Sequence, residues 1–163
     1  MSFEERGENS FVINNLISGN HSTIYGGGVY CANACTVFIN NTVADNICDG
    51  KGGGINIYSA FDNSCAPKLY NNIIWNNTAP EGSQIAIRGI GSSPDFYNCD
   101  MKGGRYDFHF FYNATYANNI GDYINNINTD PVFFAENDYR IYSVSKKIHF
   151  LLQGTACSDS RER

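Results

Sequence analysis

The chain has 163 residues, of which 17% are charged and 14% aromatic, and its formal net charge is −5. This length is sufficient for one domain. The chain lacks the excess of basic residues that is typical of nucleic-acid-binding proteins. Its negative net charge also disfavours binding to anionic membranes. No apolar run approaches the ~20 residues of a membrane helix, so we predict no nucleic-acid partner and no membrane insertion by this segment.

An internal repeat begins near the start of the chain. Each copy places an Asn-Asn pair between two short apolar runs. Clear copies begin at Phe11, Val37 and Lys68, and a weaker fourth copy begins at Asp95. Equivalent Asn residues are 26, 31 and 27 positions apart. This period is typical of a solenoid, in which one short supersecondary unit stacks on the next.

Alignment of the copies gives two columns of residues that are apolar in every copy. They are Val12, Phe38, Leu69 and Phe96 in the first column, and Ile17, Val43, Ile74 and Met101 in the second. Both columns are predicted to face a shared interior. Because they lie five positions apart, strict strand alternation can bury both only if the chain bends between them.

Two columns of mostly Asn separate the apolar columns. They are Asn14, Asn40, Asn71 and Asn98, followed by Asn15, Asn41, Asn72 and Cys99. Asn tolerates the left-handed conformation that a bend requires, and its amide can bond from rung to rung. We therefore predict an asparagine ladder, in which Asn40→Ala would cost about 1–3 kcal/mol. The alternative, Asn as a polar loop residue, does not explain why the 22 Asn residues include aligned columns.

Glycine-rich runs introduce a second strand in each repeat. The first run consists of Gly26, Gly27 and Gly28. It aligns with the second run, Gly52, Gly53 and Gly54, at an offset of 26 positions. A dinucleotide-binding loop would need a following helix, whereas a short β-like run follows here. We interpret these glycines as corners where stacked backbones approach closely.

The local pattern predicts strands throughout. Short runs rich in Ile, Val, Phe and Tyr are bounded by Gly, Asn, Asp and Ser, and no stretch of ten residues has helical periodicity. Units of about 26 residues are too short for strand–helix–strand repeats of ~30 residues or more. The predicted fold class is all-β: a right-handed single-stranded parallel β-helix of about four to five rungs. It should occupy residues 1–142, followed by an atypical, truncated or partly disordered segment over 143–163.

These residues resemble a known group of proteins. Residues 38–41 (Phe-Ile-Asn-Asn) and the glycine-rich entries resemble the repeats of bacterial polymorphic outer-membrane and related secreted right-handed β-helix proteins. Residues 68–101, 126–133 and 138–141 resemble the last rungs and the closing segment of that class. The resemblance implies an extracellular or cell-surface location. It leaves activity open, because the class includes surface passengers, adhesins and polysaccharide-acting enzymes.

The cysteines and the N-terminal residues give information on whether the protein is exported from the cell. The six cysteines are Cys31, Cys35, Cys48, Cys65, Cys99 and Cys157, an even number that suits an oxidising compartment. Fifteen pairings are open, including one in which Cys31 and Cys35 close a corner. Residues 1–7 lack the charged start and apolar core of a signal peptide. We therefore expect a fragment of a longer surface protein, with flanking rungs covering an otherwise uncapped end.

Catalytic candidates are few. Residues 128–130 (Asn-Thr-Asp) match a short phrase of polygalacturonase-type glycosidases, which makes Asp130 a candidate. The other signatures of those enzymes are absent from this chain, and glycoside hydrolysis needs two carboxylates. The favoured interpretation is that Asp130 belongs to a turn that precedes a strand. Asp107 and His109 share one face of the alternating run 106–112. That pair could serve acid–base chemistry, but a half-buried edge strand is the favoured interpretation.

Two classes of function remain. The favoured one is a non-catalytic surface or secreted scaffold that is structural or adhesive, with Tyr and Asn contacting glycans or a cell-surface partner, chiefly in the insertion 58–66. The alternative is a fragment of a polysaccharide lyase or glycoside hydrolase, in which residues such as Asp45, Asp49 and Asp62 would bind Ca²⁺ or sugar. We otherwise predict no cofactor and no metal held by the thiols.

Overall fold

The computed structural model describes residues 1–3, 10–60 and 66–141. Contacts divide the chain into two compact units, Met1–Asp130 and Pro131–Arg163. The first unit is a parallel β-solenoid of about four turns with almost no helix, which confirms the predicted fold class. The segment 143–163, Asp62, Cys65 and Cys157 lie outside the described residues.

Three parallel sheets form the walls of the solenoid. Sheet A contains β1 (Ser2–Phe3), β5 (Val29–Ala32), β9 (Ile55–Tyr58), β12 (Ile85–Arg88) and β15 (His109–Phe111). Sheet B contains β2 (Phe11–Ile13), β6 (Val37–Ile39), β10 (Lys68–Tyr70), β13 (Asp95–Tyr97) and β16 (Tyr123–Ile124). Sheet C contains β3 (Leu16–Ser18), β7 (Thr42–Ala44), β11 (Ile73–Trp75) and β14 (Asp100–Met101). A smaller parallel pair contains β4 (His21–Ser22) and β8 (Ile47–Cys48).

The two apolar columns fill the interior, as predicted. Phe38 is in register with Val12 and Leu69, and the same pairing continues to Phe96. The second column is paired in the same way, and every member of both columns is at most 6% exposed. This continuous core stabilises the stack, because each rung buries apolar side chains against its neighbours.

The predicted bend between the apolar columns lies at the first Asn column. Asn14, Asn40, Asn71 and Asn98 have φ angles of 57°, 56°, 56° and 52°. All four therefore adopt the left-handed conformation, which Asn tolerates better than most residues. This single residue per rung turns the chain from sheet B into sheet C.

The glycine-rich runs form the corner that precedes sheet A. The N–H of Gly27 donates to Gly52 O at 2.9 Å, and the N–H of Gly28 donates to Gly53 O at 3.1 Å. Gly26 and Gly52 have φ angles of 63° and 78°. These backbone groups bond to the next rung, and β5 and β9, not helices, follow them.

The run 106–112 differs from its predicted alternation. Residues Gly104–Asp107 form a 3₁₀ turn, and only His109–Phe111 form a strand, at the edge of sheet A. Gly103 and Gly104 both have positive φ angles, 79° and 61°, which allows the chain to turn tightly there.

The second unit contains an antiparallel pair, β17 (Phe133–Ala135) and β18 (Asp138–Ile141). The Phe133 and Tyr139 rings meet edge to face at 5.2 Å. In the described part of the chain, no helix is long and apolar enough to cross a membrane.

Candidate functional site

Side-chain hydrogen bonds between rungs are concentrated in the second Asn column. Asn72 Oδ1 accepts from the N–H and the Nδ2 of Asn41, both at 2.9 Å, and Asn41 Oδ1 accepts the same two bonds from Asn15 at 2.9 and 3.3 Å. Asn41 and Asn72 are fully buried, whereas Asn40 is half-buried. Asn40 forms the bend and Asn41 enters the wall. Asn40 Oδ1 accepts from Asn71 Nδ2 at 3.2 Å, and the cost of Asn40→Ala stays a prediction.

A second row of amides lies at the following bend, where the sequence pattern had suggested no role. Asn46 Oδ1 accepts from Asn20 N and Nδ2 at 3.0 and 2.9 Å, and Asn77 Oδ1 accepts from Asn46 N and Nδ2 at the same distances. Gln84 Oε1 then accepts from Asn77 at 2.9 Å. These Asn residues recur at the same offsets, 26 and 31 positions, as the Asn-Asn pairs, which was a sequence signal for this row, but Gln84 interrupts the period.

Four of the six cysteines lie among the residues that the structure describes. Cys31, Cys48 and Cys99 are buried free thiols, so Cys31 does not pair with Cys35. Burial raises the pKa of the Cys99 thiol to about 11. Cys35 is disulfide-bonded. The thiol of Cys99 occupies the fourth position of the buried Asn row and accepts from Asn72 N at 3.5 Å.

The outer face of sheet A carries a cluster of rings around one arginine. We call it the arginine–aromatic cluster, and its members are Tyr25, Tyr30, Tyr58, Arg88, Phe111 and Tyr112. Strand register brings them together: Tyr58 pairs with Arg88, and Arg88 pairs with Phe111. The Tyr25 ring stacks on the Phe111 ring with centroids 5.9 Å apart.

Rings surround the guanidinium of Arg88. It lies 4.4 Å from the Tyr58 ring centroid, 4.5 Å from that of Tyr112 and 5.1 Å from that of Tyr25. The Arg88 Nε atom is buried and has no hydrogen-bond partner. Contacts of this kind favour a cation electrostatically, and they hold the guanidinium plane between flat apolar surfaces.

Small outward-facing residues lie between the members of the cluster. Asn56 and Ala86 point away from the core in register with Tyr30 and His109, yet both are fully buried. The neighbouring side chains therefore cover them. Asn56 Nδ2 donates to Lys51 O at 3.4 Å, while Asn56 Oδ1 is buried without a hydrogen-bond partner.

A carboxylate with two basic partners borders this face. Glu81 Oε2 contacts Lys51 Nζ and lies 2.8 Å from His109 Nε2. Burial, followed by the charge of Lys51, lowers the pKa of His109. The predicted partner of His109 was Asp107, but Asp107 lies on the 3₁₀ turn and His109 contacts Glu81 instead.

Two clefts open at the cluster. One has a volume of about 230 Å³ and is lined by Tyr58, Ser59, Arg88, Ile90 and Tyr112, among others. The other, of about 560 Å³, lies beside Tyr25 and Tyr30. Tyr58 belongs to the insertion 58–66 that the sequence singled out, of which residues 61–65 lie outside the described part. Concave surfaces lined by aromatic rings and a few polar groups are typical of ligand sites.

The region of Asp130 contains a carboxylate that sequence reasoning missed. Asp100 on β14 is fully buried; its Oδ1 accepts from Thr129 N at 3.1 Å, and its Oδ2 has no hydrogen-bond partner. Burial, together with the nearby charge of Asp130, raises the pKa of Asp100 to about 6. A bridge between β14 and Ile127 places residues 128–130 beside this carboxyl group.

The raised pKa of Asp100 predicts a pH-dependent stability. Because folding favours the protonated carboxyl, the contribution of Asp100 to stability should be greatest below about pH 4 and should be lost as the pH rises through about 6. A shift of about two units corresponds to roughly 2–3 kcal/mol. We expect Asp100→Asn to remove this part of the pH dependence in urea unfolding at pH 4, 5, 6 and 7. An unchanged slope, or an NMR titration of the Asp100 carboxyl near pH 4, would contradict this assignment.

The residues proposed for Ca²⁺ do not form a group in the described structure. Asp45 is exposed at a bend with φ of 54°, and Asp49 Oδ1 lies 2.8 Å from His21 Nε2. Asp62 is outside the described residues. Across residues 1–3, 10–60 and 66–141, no three His, Cys, Asp or Glu side chains are placed to hold a metal ion together.

Comparison of the chain with protein-family models, with curated proteins and with solved structures found no match.

Proposed function

We propose that the chain is a non-catalytic binding module of an extracellular or cell-surface protein, in which the solenoid holds the arginine–aromatic cluster rigid for binding saccharides. The observation that carries the proposal is the cleft at Tyr58, Arg88 and Tyr112. The disulfide bond of Cys35 supports an oxidising compartment.

The chemistry of the cluster suits a sugar. Tyrosine offers a flat apolar ring and a hydroxyl group, so it can pack against the C–H groups of a pyranose and bond to its hydroxyls. Strands β9 and β12 lie in the middle of sheet A and are paired on both sides, so the backbone beneath is fixed. A site on rigid strands binds with little ordering cost.

We expect Tyr58→Ala and Tyr112→Ala each to weaken saccharide binding at least tenfold, because each removes one ring wall of the cleft. A glycan array would identify the best ligand, and isothermal titration calorimetry would measure its affinity. The matched control is Tyr70→Ala, which removes a half-buried ring that stacks on Tyr97 at 4.9 Å on sheet B. Equal losses in all three variants, or an array without binding, would refute the proposal.

Polysaccharide cleavage is the second candidate function, and the proximity of Asp100 and Asp130 favours it. A raised pKa in one of two neighbouring carboxyls is what a general acid requires. We nevertheless expect no turnover in reducing-sugar or unsaturated-product assays, with or without Ca²⁺, because the rings and clefts lie on sheet A and Asp100 lies on sheet C. Turnover that Asp130→Ala abolishes would replace the binding proposal.

A further inference from the structure

Arg88 lies among aromatic rings and has no carboxylate partner in the described part of the chain, in contrast to Lys51. Within the described residues its guanidinium forms no ion pair and no hydrogen bond, whereas Lys51 contacts the carboxylate of Glu81. Its Nε is buried and the side chain lies between Tyr58 and Tyr112. The guanidinium has therefore lost part of its hydration without gaining a counter-ion.

We propose that Arg88 receives the carboxylate of an acidic saccharide, an inference that rests on the proposed function. A guanidinium offers a carboxylate two parallel N–H donors, and such pairs are among the strongest hydrogen bonds in proteins. Arg88 lines the cleft of about 230 Å³, so a ligand there can reach its terminal nitrogens. Because the site is partly dehydrated, the ion pair is stronger than on an open surface.

The local charges select a singly charged group. Lys51 and Glu81 neutralise each other, and His109 has a lowered pKa because of its burial and the charge of Lys51. Arg88 thus supplies the one uncompensated positive charge among the described residues of this face. One positive charge matches a carboxylate, whereas a phosphate carries nearly two negative charges at pH 7.

The architecture favours a sugar over a peptide. Extended peptides commonly bind by adding a strand to an open sheet edge. Arg88 lies on β12, which is paired with β9 on one side and β15 on the other. The strand that carries Arg88 has no open edge, so recognition by Arg88 itself depends on rings and on the guanidinium.

The test compares saccharides whose carboxylate is free with the same saccharides whose carboxylate is esterified and therefore uncharged. Sialylated and uronate oligosaccharides and their methyl esters would be titrated calorimetrically into the full chain, into Arg88→Gln and into Lys102→Gln. The last variant also removes one positive charge, but at an exposed residue whose Nζ bonds to Asn76 on another face. We expect the wild-type chain to bind acids at least tenfold more tightly than esters. Arg88→Gln should remove that preference, and Lys102→Gln should retain it.

The outcomes separate this inference from the proposed function. Equal affinity of the wild-type chain for acids and esters would overturn the carboxylate role of Arg88 but leave the proposed saccharide binding intact. This comparison uses the wild-type chain alone, so it does not depend on the folding of a variant. A preference for acids that persists in folded Arg88→Gln would also overturn it. Tighter binding of acidic peptides than of any sugar would overturn the choice of ligand. Absence of saccharide binding altogether would overturn both proposals.

Discussion

Replacement of Gly53 by alanine should destabilise the solenoid by about 3 kcal/mol or more, at the upper end of overpacking effects. A Cβ atom at this position would lie 2.5 Å from Thr78 O and 2.6 Å from Ser83 O. Both are backbone atoms, so no side-chain movement relieves the contact. Gly53 also donates its N–H to Gly82 O at 3.3 Å, and a shift of the backbone would weaken this pairing between rungs. Urea unfolding followed by circular dichroism measures the loss.

Gly19→Ala is the matched control for this prediction. Gly19 has a φ of 65°, but no atom lies within 4 Å of the position that an alanine methyl group would occupy. Alanine there should cost only the left-handed backbone penalty of about 1–2 kcal/mol. Equal destabilisation by the two substitutions would show that the tight approach of rungs at Gly53 is not what requires glycine.

The sequence predicted the interior well because the interior is periodic. Phe38 and Val43 recur with their counterparts at the same offsets in each copy, and stacking in register converts such an offset into vertical contact. The five-residue separation also predicted a bend, and Asn40 has the left-handed conformation expected there. The repeat spacing and the tolerance of Asn for the left-handed conformation can both be recognised in a single sequence.

The position of the buried amides was less predictable. Both Asn40 and Asn41 recur, and the sequence pattern alone does not tell which side chain enters the wall. The structure shows that the left-handed residue leaves its own side chain half-buried and that the following residue is buried. Where the period fails, as at Gln84, only the three-dimensional structure identifies the acceptor.

The candidate site could not be predicted from local pattern. Tyr25 and Phe111 lie far apart in the sequence. Their rings meet because the strands of sheet A stack side by side. The buried carboxyl of Asp100 was missed for a related reason. Its environment is created by Thr129 on the following rung, and no motif links the two residues.

We expect Asn72→Ala to destabilise the chain by about 3 kcal/mol. Asn72 Oδ1 accepts from Asn41 N and Nδ2, and Asn72 Nδ2 donates to Phe38 O at 3.0 Å and to Tyr70 O at 3.1 Å. The substitution would leave the buried N–H of Asn41 without its acceptor, and it would remove one donor each from Phe38 O and Tyr70 O, although Tyr70 O keeps the N–H of Asn40 at 3.0 Å. Each unpaired buried group costs about 1–3 kcal/mol. The shift in urea midpoint, at unchanged slope, measures the loss.

Two further variants test whether the amide row, and not the mere loss of an Asn, is responsible. Asn118→Ala changes an exposed Asn and should have an effect below about 0.5 kcal/mol. Cys99→Asn places an amide at the fourth position, where the thiol is 3.5 Å from Asn72 N, and should stabilise the chain by about 1 kcal/mol. If Asn72→Ala and Asn118→Ala had equal effects, the row would contribute no stability. A destabilising Cys99→Asn would show instead that the fourth rung has no room for it.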